Sequence, residues 1–268
     1  MGTLGKVEII VLSDPAAVGR HAARLIADTL AGKPDPVLGV ATGSSPLATY
    51  AELAALVHGG LDLSRASAFA LDEYVGLDAA HPEAYHSVIH RTVTVPLGLD
   101  PVRVHVPNGA AADLRAACAD YEAAIEAAGG IDVQLLGIGA NGHIGFNEPG
   151  SSLGSRTRVK TLAPRTRRDN ARFFGGEAEA VPVHCLTQGI GTILRAHSVL
   201  LVATGESKAA AVAAMAEGPL GAFCPASALQ LHERATVVVD EAAASLLRDR
   251  EYYDFARDNA PEGAFDLD

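Results

Sequence analysis

Val37-Leu38-Gly39-Val40-Ala41-Thr42-Gly43-Ser44-Ser45-Pro46 is an apolar run that stops at a turn rich in hydroxyls and glycine, and a helical period over residues 46–56 follows it. An unbroken apolar run of this length suits a strand buried on both faces, as in a parallel sheet covered by helices. The unit recurs. Apolar runs at 7–12, 68–71, 102–106, 133–138, 199–203 and 236–239 read as further strands, and helical periods at 16–31, 114–128 and 207–216 lie between them. Right-handed crossovers between such strands put the helices on both sheet faces. The fold class is therefore α/β, a Rossmann-like, doubly wound and mostly parallel sheet. Alanine is abundant but sits in amphipathic spacing, with no tract, repeat or linker.

A chain of 268 residues with 49% hydrophobic content can bury one sizeable core, and a single domain over 1–268 is expected. A net charge of -11 disfavours nucleic acid and anionic membrane, which both need clustered Lys and Arg, and favours a small-molecule partner. The opening stretch MGTLGKVEIIVLSD has only a short apolar run, and nowhere do eighteen apolar residues run together, so a cytoplasmic protein is expected. Cys118, Cys185 and Cys224 are odd in number and widely spaced, which suggests buried thiols rather than disulfides or a CxxC metal site. His86 and His90 could sit one helical turn apart near His81, yet no HExxH pattern accompanies them, and no metal is expected. There is no Gly-x-Ser-x-Gly elbow for a covalent nucleophile.

Chemistry is concentrated after the 133–138 run. Asn141-Gly142-His143-Ile144-Gly145-Phe146-Asn147-Glu148 packs an imidazole, a carboxylate and two carboxamides into one glycine-rich loop. Glu148 could orient His143 for general acid/base work; the plainer reading is a structural His, which the strand-end loop disfavours. Asp72 and Glu73 close the 68–71 run, where open α/β sheets bind ligands, although Asp at such a place also forms turns. Thr42, Gly43 and Ser44 precede a helix and could hold phosphate; they could equally be an ordinary helix cap. Arg172 and Lys208 are the basic candidates to join them, against the common fate of a solvated surface charge. Residues 150–176 are basic in an otherwise acidic chain, with Arg156, Arg158, Lys160, Arg165, Arg167, Arg168 and Arg172, and suggest a local anion site.

These segments, together with Leu71-Asp72-Glu73-Tyr74-Val75-Gly76-Leu77, Phe146-Asn147-Glu148-Pro149, the run 151–160 and Leu229-Gln230-Leu231-His232, resemble the glucosamine-6-phosphate deaminases over nearly the whole chain. The resemblance implies isomerising deamination of glucosamine 6-phosphate to fructose 6-phosphate and ammonia in amino-sugar catabolism, with no cofactor. It implies that Asp72 is the enolisation base, that His143 moves the proton in ring opening with Glu148 and Asn141 in support, and that Thr42, Gly43, Ser44, Arg172 and Lys208 hold the substrate phosphate. Some relatives carry Asp where Asn141 stands, and a neutral amide cannot stabilise an imidazolium by charge. The partner implied is a phosphorylated amino sugar, and the assembly a homo-oligomer, hexameric in some relatives. Ser151, Ser152, Arg158 and Lys160 match an intersubunit effector site, whereas Asp254, beside Tyr253, falls where allosteric relatives can place an aromatic contact. A 6-phosphogluconolactonase of the same fold would have no need of Asp72. A sugar-phosphate sensor would need a DNA-binding module for which the chain leaves no room. A galactosamine-6-phosphate deaminase would differ only around the C4 hydroxyl.

Overall fold

The computed structural model describes residues 7–259. In chain order its strands are β1 (Glu8–Leu12), β2 (Val37–Val40), β3 (Ser67–Ala70), β4 (Asp72–Tyr74), β5 (Val104–His105), β6 (Val133–Leu136), β7 (Arg158–Thr161), β8 (His184–Thr187), β9 (Ser198–Ala203) and β10 (Ala235–Asp240). The α-helices are α1 (Pro15–Leu30), α2 (Leu47–His58), α3 (Tyr85–Ile89), α4 (Leu114–Ala127), α5 (Pro164–Asn170), α6 (Ile190–Ile193), α7 (Ala209–Ala216) and α8 (Arg250–Asp258).

Seven strands form one parallel sheet in the order β1-β10-β9-β6-β2-β3-β5. β2, β6 and β9 are buried along their whole length, which is why their sequences read as apolar runs, broken only by Gln134 in β6 and Ser198 at the start of β9. One face packs on α1, α2 and α3 through Val18, Ile26, Tyr50, Leu53 and Ile89. The other packs on α4 and α7 through Tyr121, Ile125, Val212 and Met215. The doubly wound sheet expected from the alternation is the one observed. The 102–106 run shrinks to the two residues of β5, because Pro101–Arg103 forms a 3₁₀ turn capped by Asp100.

From β2 the chain steps outward to β3 and β5, and from β6 it steps the opposite way to β9 and β10. The loops leaving β2 and β6 therefore diverge and leave a cleft between the carboxyl ends of two adjacent strands, the usual ligand position in such sheets. A second, antiparallel sheet β4-β8-β7 roofs that end. The roof was not expected. Its strands are short or half-exposed, with burial alternating along β7, and they carry Asp, Glu, Arg, Lys and His, so no apolar run marks them. Asp72 consequently does not end the 68–71 strand; it opens β4, after Leu71 alone spans the two sheets.

Candidate active site

Four loops of the parallel sheet, those after β2, β3, β6 and β9, open into one cavity of about 810 Å³ lined by Thr42, Gly43, Ser44, Asp72, His143, Arg172 and Lys208. The sequence candidates for phosphate binding and for proton transfer are thus brought together. Asn141 and Glu148 do not line the cavity; they back its wall behind His143.

The β2 loop is set by Tyr50, whose hydroxyl donates to Ala41 O at 2.8 Å and accepts from Ala41 N at 2.9 Å, pinning the residue before Thr42. α2 begins after Pro46 with no side-chain cap, so Thr42, Ser44 and Ser45 are not used as caps, and the ordinary-cap reading fails. Across the switch point a Cβ on Gly137 would stand 3.5 Å from Ser45 Cβ, which shows how closely the two loops approach.

Lys208, expected one residue inside the helix after β9, stands just before its α-helical part. It closes the 3₁₀ turn Glu206–Lys208, one residue before α7, and the Asp240 carboxylate accepts Gly205 N at 3.0 Å to hold that turn. Its Nζ donates to Ile138 O at 2.8 Å. Burial, with the Arg172 charge beside it, pushes the Lys208 ammonium below its ordinary pKa. Two cations that feel each other at a cavity wall form a place for a dianion. Two other basic residues of 150–176 serve elsewhere: Arg156 pairs with Glu122 and Glu126, and Arg167 bonds Val181 O and Glu179 O. Arg165 joins Arg172 at the cavity.

Asp72 is 4% exposed. Burial first, then the adjacent Glu73 charge, hold its carboxyl well above the usual aspartate range, against the Phe146 N–H that lowers it. Gly145 packs against it: with φ +53°, a Cβ there would come within 3.4 Å of Asp72 Oδ2 and 3.1 Å of Thr187 Oγ1, so a side chain would crowd the carboxylate. Glu73 points into hydrogen bonds from Tyr74 N, Tyr85 N and His86 N at 2.7, 3.0 and 2.8 Å. It caps α3 from outside and so fixes Tyr85, a cavity residue that composition and spacing gave no reason to single out.

His143 lies over Gly139, where a Cβ would press within 2.2–2.5 Å of three imidazole atoms. Its Nδ1 stands 3.7 Å from Glu148 Oε2, an electrostatic distance rather than a hydrogen bond. Asn141 does not contact the ring either; Nδ2 donates to Glu148 Oε2 at 2.8 Å and Oδ1 accepts His143 N at 3.2 Å. The amide therefore orients the carboxylate and the loop. Burial would raise Glu148, but the His143 imidazole, Thr166 and Asn141 outweigh it and bring the carboxyl down to about 2. The imidazole thus has a fixed carboxylate behind it and the cavity in front of it.

The four effector candidates are not gathered in the cavity. Ser151 is buried and donates to Glu148 O at 2.7 Å, and Arg158 on β7 donates to Asn147 Oδ1 at 2.9 Å. Ser152 is exposed and Lys160 half-buried. Asp254 pairs with Arg250 and Arg257 within α8, and Tyr253 bonds Glu217 at 3.2 Å. Gln230 and His232 are structural: Gln230 Nε2 donates to Met215 O and Gly218 O, and His232 Nε2 meets Ala196 O at 2.9 Å.

Residues 15–238 match the family described as glucosamine-6-phosphate isomerases/6-phosphogluconolactonase. The glucosamine-6-phosphate deaminase of Bifidobacterium longum subsp. infantis is 56% identical over 263 residues, which is 95% of this chain and 97% of the relative. That of Cutibacterium acnes is 59% identical over 248 residues, covering 92% and 95%. The solved structure of a monomeric glucosamine-6-phosphate deaminase is 44% identical with a TM-score of 0.87, covering 90% of this chain and 100% of that one. A 6-phosphogluconolactonase from Trypanosoma cruzi, 18% identical over 92% of this chain and 99% of that one, shares the fold with a TM-score of 0.72.

Proposed function

The chain belongs to the family of glucosamine-6-phosphate isomerases and 6-phosphogluconolactonases, and from that membership we propose how the cavity's residues divide the reaction between them. The activity is that of a glucosamine-6-phosphate deaminase: glucosamine 6-phosphate becomes fructose 6-phosphate and ammonia. The observation that carries our division of labour is the placing of Asp72, His143 and the Arg172–Lys208 pair around one cavity.

The phosphate is held by the N–H groups and hydroxyls of Thr42, Gly43 and Ser44 together with Lys208 and Arg172. His143 takes the C1 hydroxyl proton and gives one to the ring oxygen, opening the pyranose, while Glu148 balances the imidazolium and Asn141 keeps Glu148 in place. Asp72 then removes the C2 proton, the electron pair forms the C1–C2 double bond, and the O1 oxyanion takes a proton from the C2 ammonium to give the enol of the open-chain amine. The same carboxyl returns a proton to C1, leaving a ketose imine at C2. Water adds to that imine, and ammonia leaves with the carbonyl of fructose 6-phosphate. The raised carboxyl of Asp72 makes a stronger base toward a carbon acid than an ordinary aspartate.

We propose a single domain over 1–268 and a cytoplasmic protein: no helix of the described residues is long and apolar enough to cross a membrane, and the substrate is a phosphorylated metabolite. A homo-oligomer and effector binding at Ser151, Ser152, Arg158 and Lys160 are proposed from the match of those residues. The 90% exposed Phe223 supports a subunit face there, since its neighbour Ala222 accepts Gly150 N beside Ser151. The test of the reaction is ammonia and fructose 6-phosphate formation from glucosamine 6-phosphate, run beside galactosamine 6-phosphate and 6-phosphogluconolactone. Turnover of the first is expected. Lactone hydrolysis without ammonia would overturn the assignment.

A further inference from the structure

We propose that Asn147 is a positioning residue that sets the separation of His143 and Asp72 by tying the loop of one to the strand of the other. Asn147 is fully buried and does not line the cavity. Both protons of its Nδ2 are used, one on Ile144 O at 2.9 Å and one on Gln188 O at 2.8 Å. Its Oδ1 accepts from Arg158 Nη1 at 2.9 Å. A guanidinium only donates, so Arg158 fixes which end of the amide is oxygen and aims the NH₂ at the two carbonyls.

Ile144 directly follows His143. Gln188 is equally buried; its N donates to Leu71 O at 2.7 Å and its Nε2 to Ala70 O at 3.1 Å, on the two residues directly before Asp72. A continuous set of hydrogen bonds therefore runs from the backbone beside His143, through one carboxamide, to the backbone beside Asp72. Those two residues leave different strands of the sheet, β6 and β3, which are not neighbours in it. The tie adds to one other bond between the same elements, from Phe146 N to Thr187 Oγ1 at 3.1 Å, Thr187 being the β8 residue paired with Asp72. The phosphate-binding residues Thr42, Gly43, Ser44 and Lys208 make no bond to Asn147 or Gln188.

The proposal rests on Asp72 and His143 as the proton-moving groups. Asn147→Asp keeps the shape and the Arg158 contact but turns an acceptor oxygen toward two carbonyl oxygens, which must separate. Misplacing catalytic groups by about 1 Å costs about 100-fold in rate. We expect kcat of N147D to fall by about that factor, while KM and inhibition by the unreactive glucitol 6-phosphate stay within about threefold of wild type. Asn147→Ser, which keeps one donor, carries the same measurement if N147D is not recovered folded. A folded variant with wild-type kcat, or a loss carried mainly by KM, would overturn the role; a merely structural residue would lower Tm and leave kcat, read below Tm, unchanged. Asp72→Asn and His143→Gln are measured alongside. If either retains full kcat, it is the proton-moving assignment that fails, and not the tie.

Discussion

At the scale of single residues, the chemistry depends on which partner each polar group has. Asn141 stands behind the imidazole as a neutral amide that spends its donor on Glu148. Asn141→Asp removes that donor and sets a second carboxylate next to Glu148, adding negative charge on the side of the ring that faces away from substrate. The limb of the pH–rate profile that reports ring opening is expected to move to higher pH; an unchanged profile of kcat/KM would show that position 141 does not act on the relay. Glu148 itself links site and stability. Its folded pKa of about 2 lies below its ordinary 4.5, so its contribution is present in full above 4.5 and is lost as pH falls toward 2. A shift of that size corresponds to roughly 3 kcal/mol. Denaturant titrations of wild type and Glu148→Gln should show a stability gap at neutral pH that narrows through that window, and a gap independent of pH would contradict the ionic account.

At the scale of elements, the parallel sheet was legible because strands buried on both faces are almost wholly apolar, as 37–41 and 199–203 are and as 133–138 is save for the buried Gln134. The antiparallel roof was not legible, because β4, β7 and β8 are short and interleave polar residues with the few apolar ones, Tyr74, Cys185 and Leu186, that they bury, so no apolar run announces them. The site was readable as residue types at strand ends, Asp72, His143 and Lys208 among them. What the sequence could not carry was contact: that Glu148 and Asn141 stand behind the wall, that Glu73 fixes Tyr85, and that Arg156 and Arg167 in the basic segment are committed to Glu side chains and backbone carbonyls. The two cations at the mouth of the β9 loop give an element-level prediction. Lys208→Ala and Arg172→Ala should each raise KM for the phosphorylated sugar by about 10- to 100-fold, the loss of one charge-assisted contact, with a smaller change in kcat. Lys208→Ala should also loosen the Ile138 carbonyl it bonds and so show the larger kcat effect of the two. Equal KM values for wild type and both variants would remove the pair from phosphate binding.

At the scale of the whole molecule, assembly and regulation are properties the single chain proposes and solution measurements decide. Light scattering across a range of protein concentrations is expected to give a multiple of the 27.6 kDa chain mass, and the chain mass throughout would make this protein a monomer like its 44% identical structural relative. N-acetylglucosamine 6-phosphate is expected to change rate or cooperativity if Arg158 and Lys160 bind it. Arg158 holds Asn147 with Nη1 and leaves Nη2 without a partner among the described residues, and indifference of both rate and cooperativity would end the effector reading. The claim on which everything else stands is that loops meeting at one switch point of the sheet run the reaction, with Asp72 moving the proton between C2 and C1. The most direct measurement is deuterium exchange at C2 of glucosamine 6-phosphate in D₂O with wild type and Asp72→Asn, alongside binding of the same sugar. Exchange by wild type and none by D72N, with binding retained, is the predicted result; exchange that persists in D72N would contradict the account at its centre.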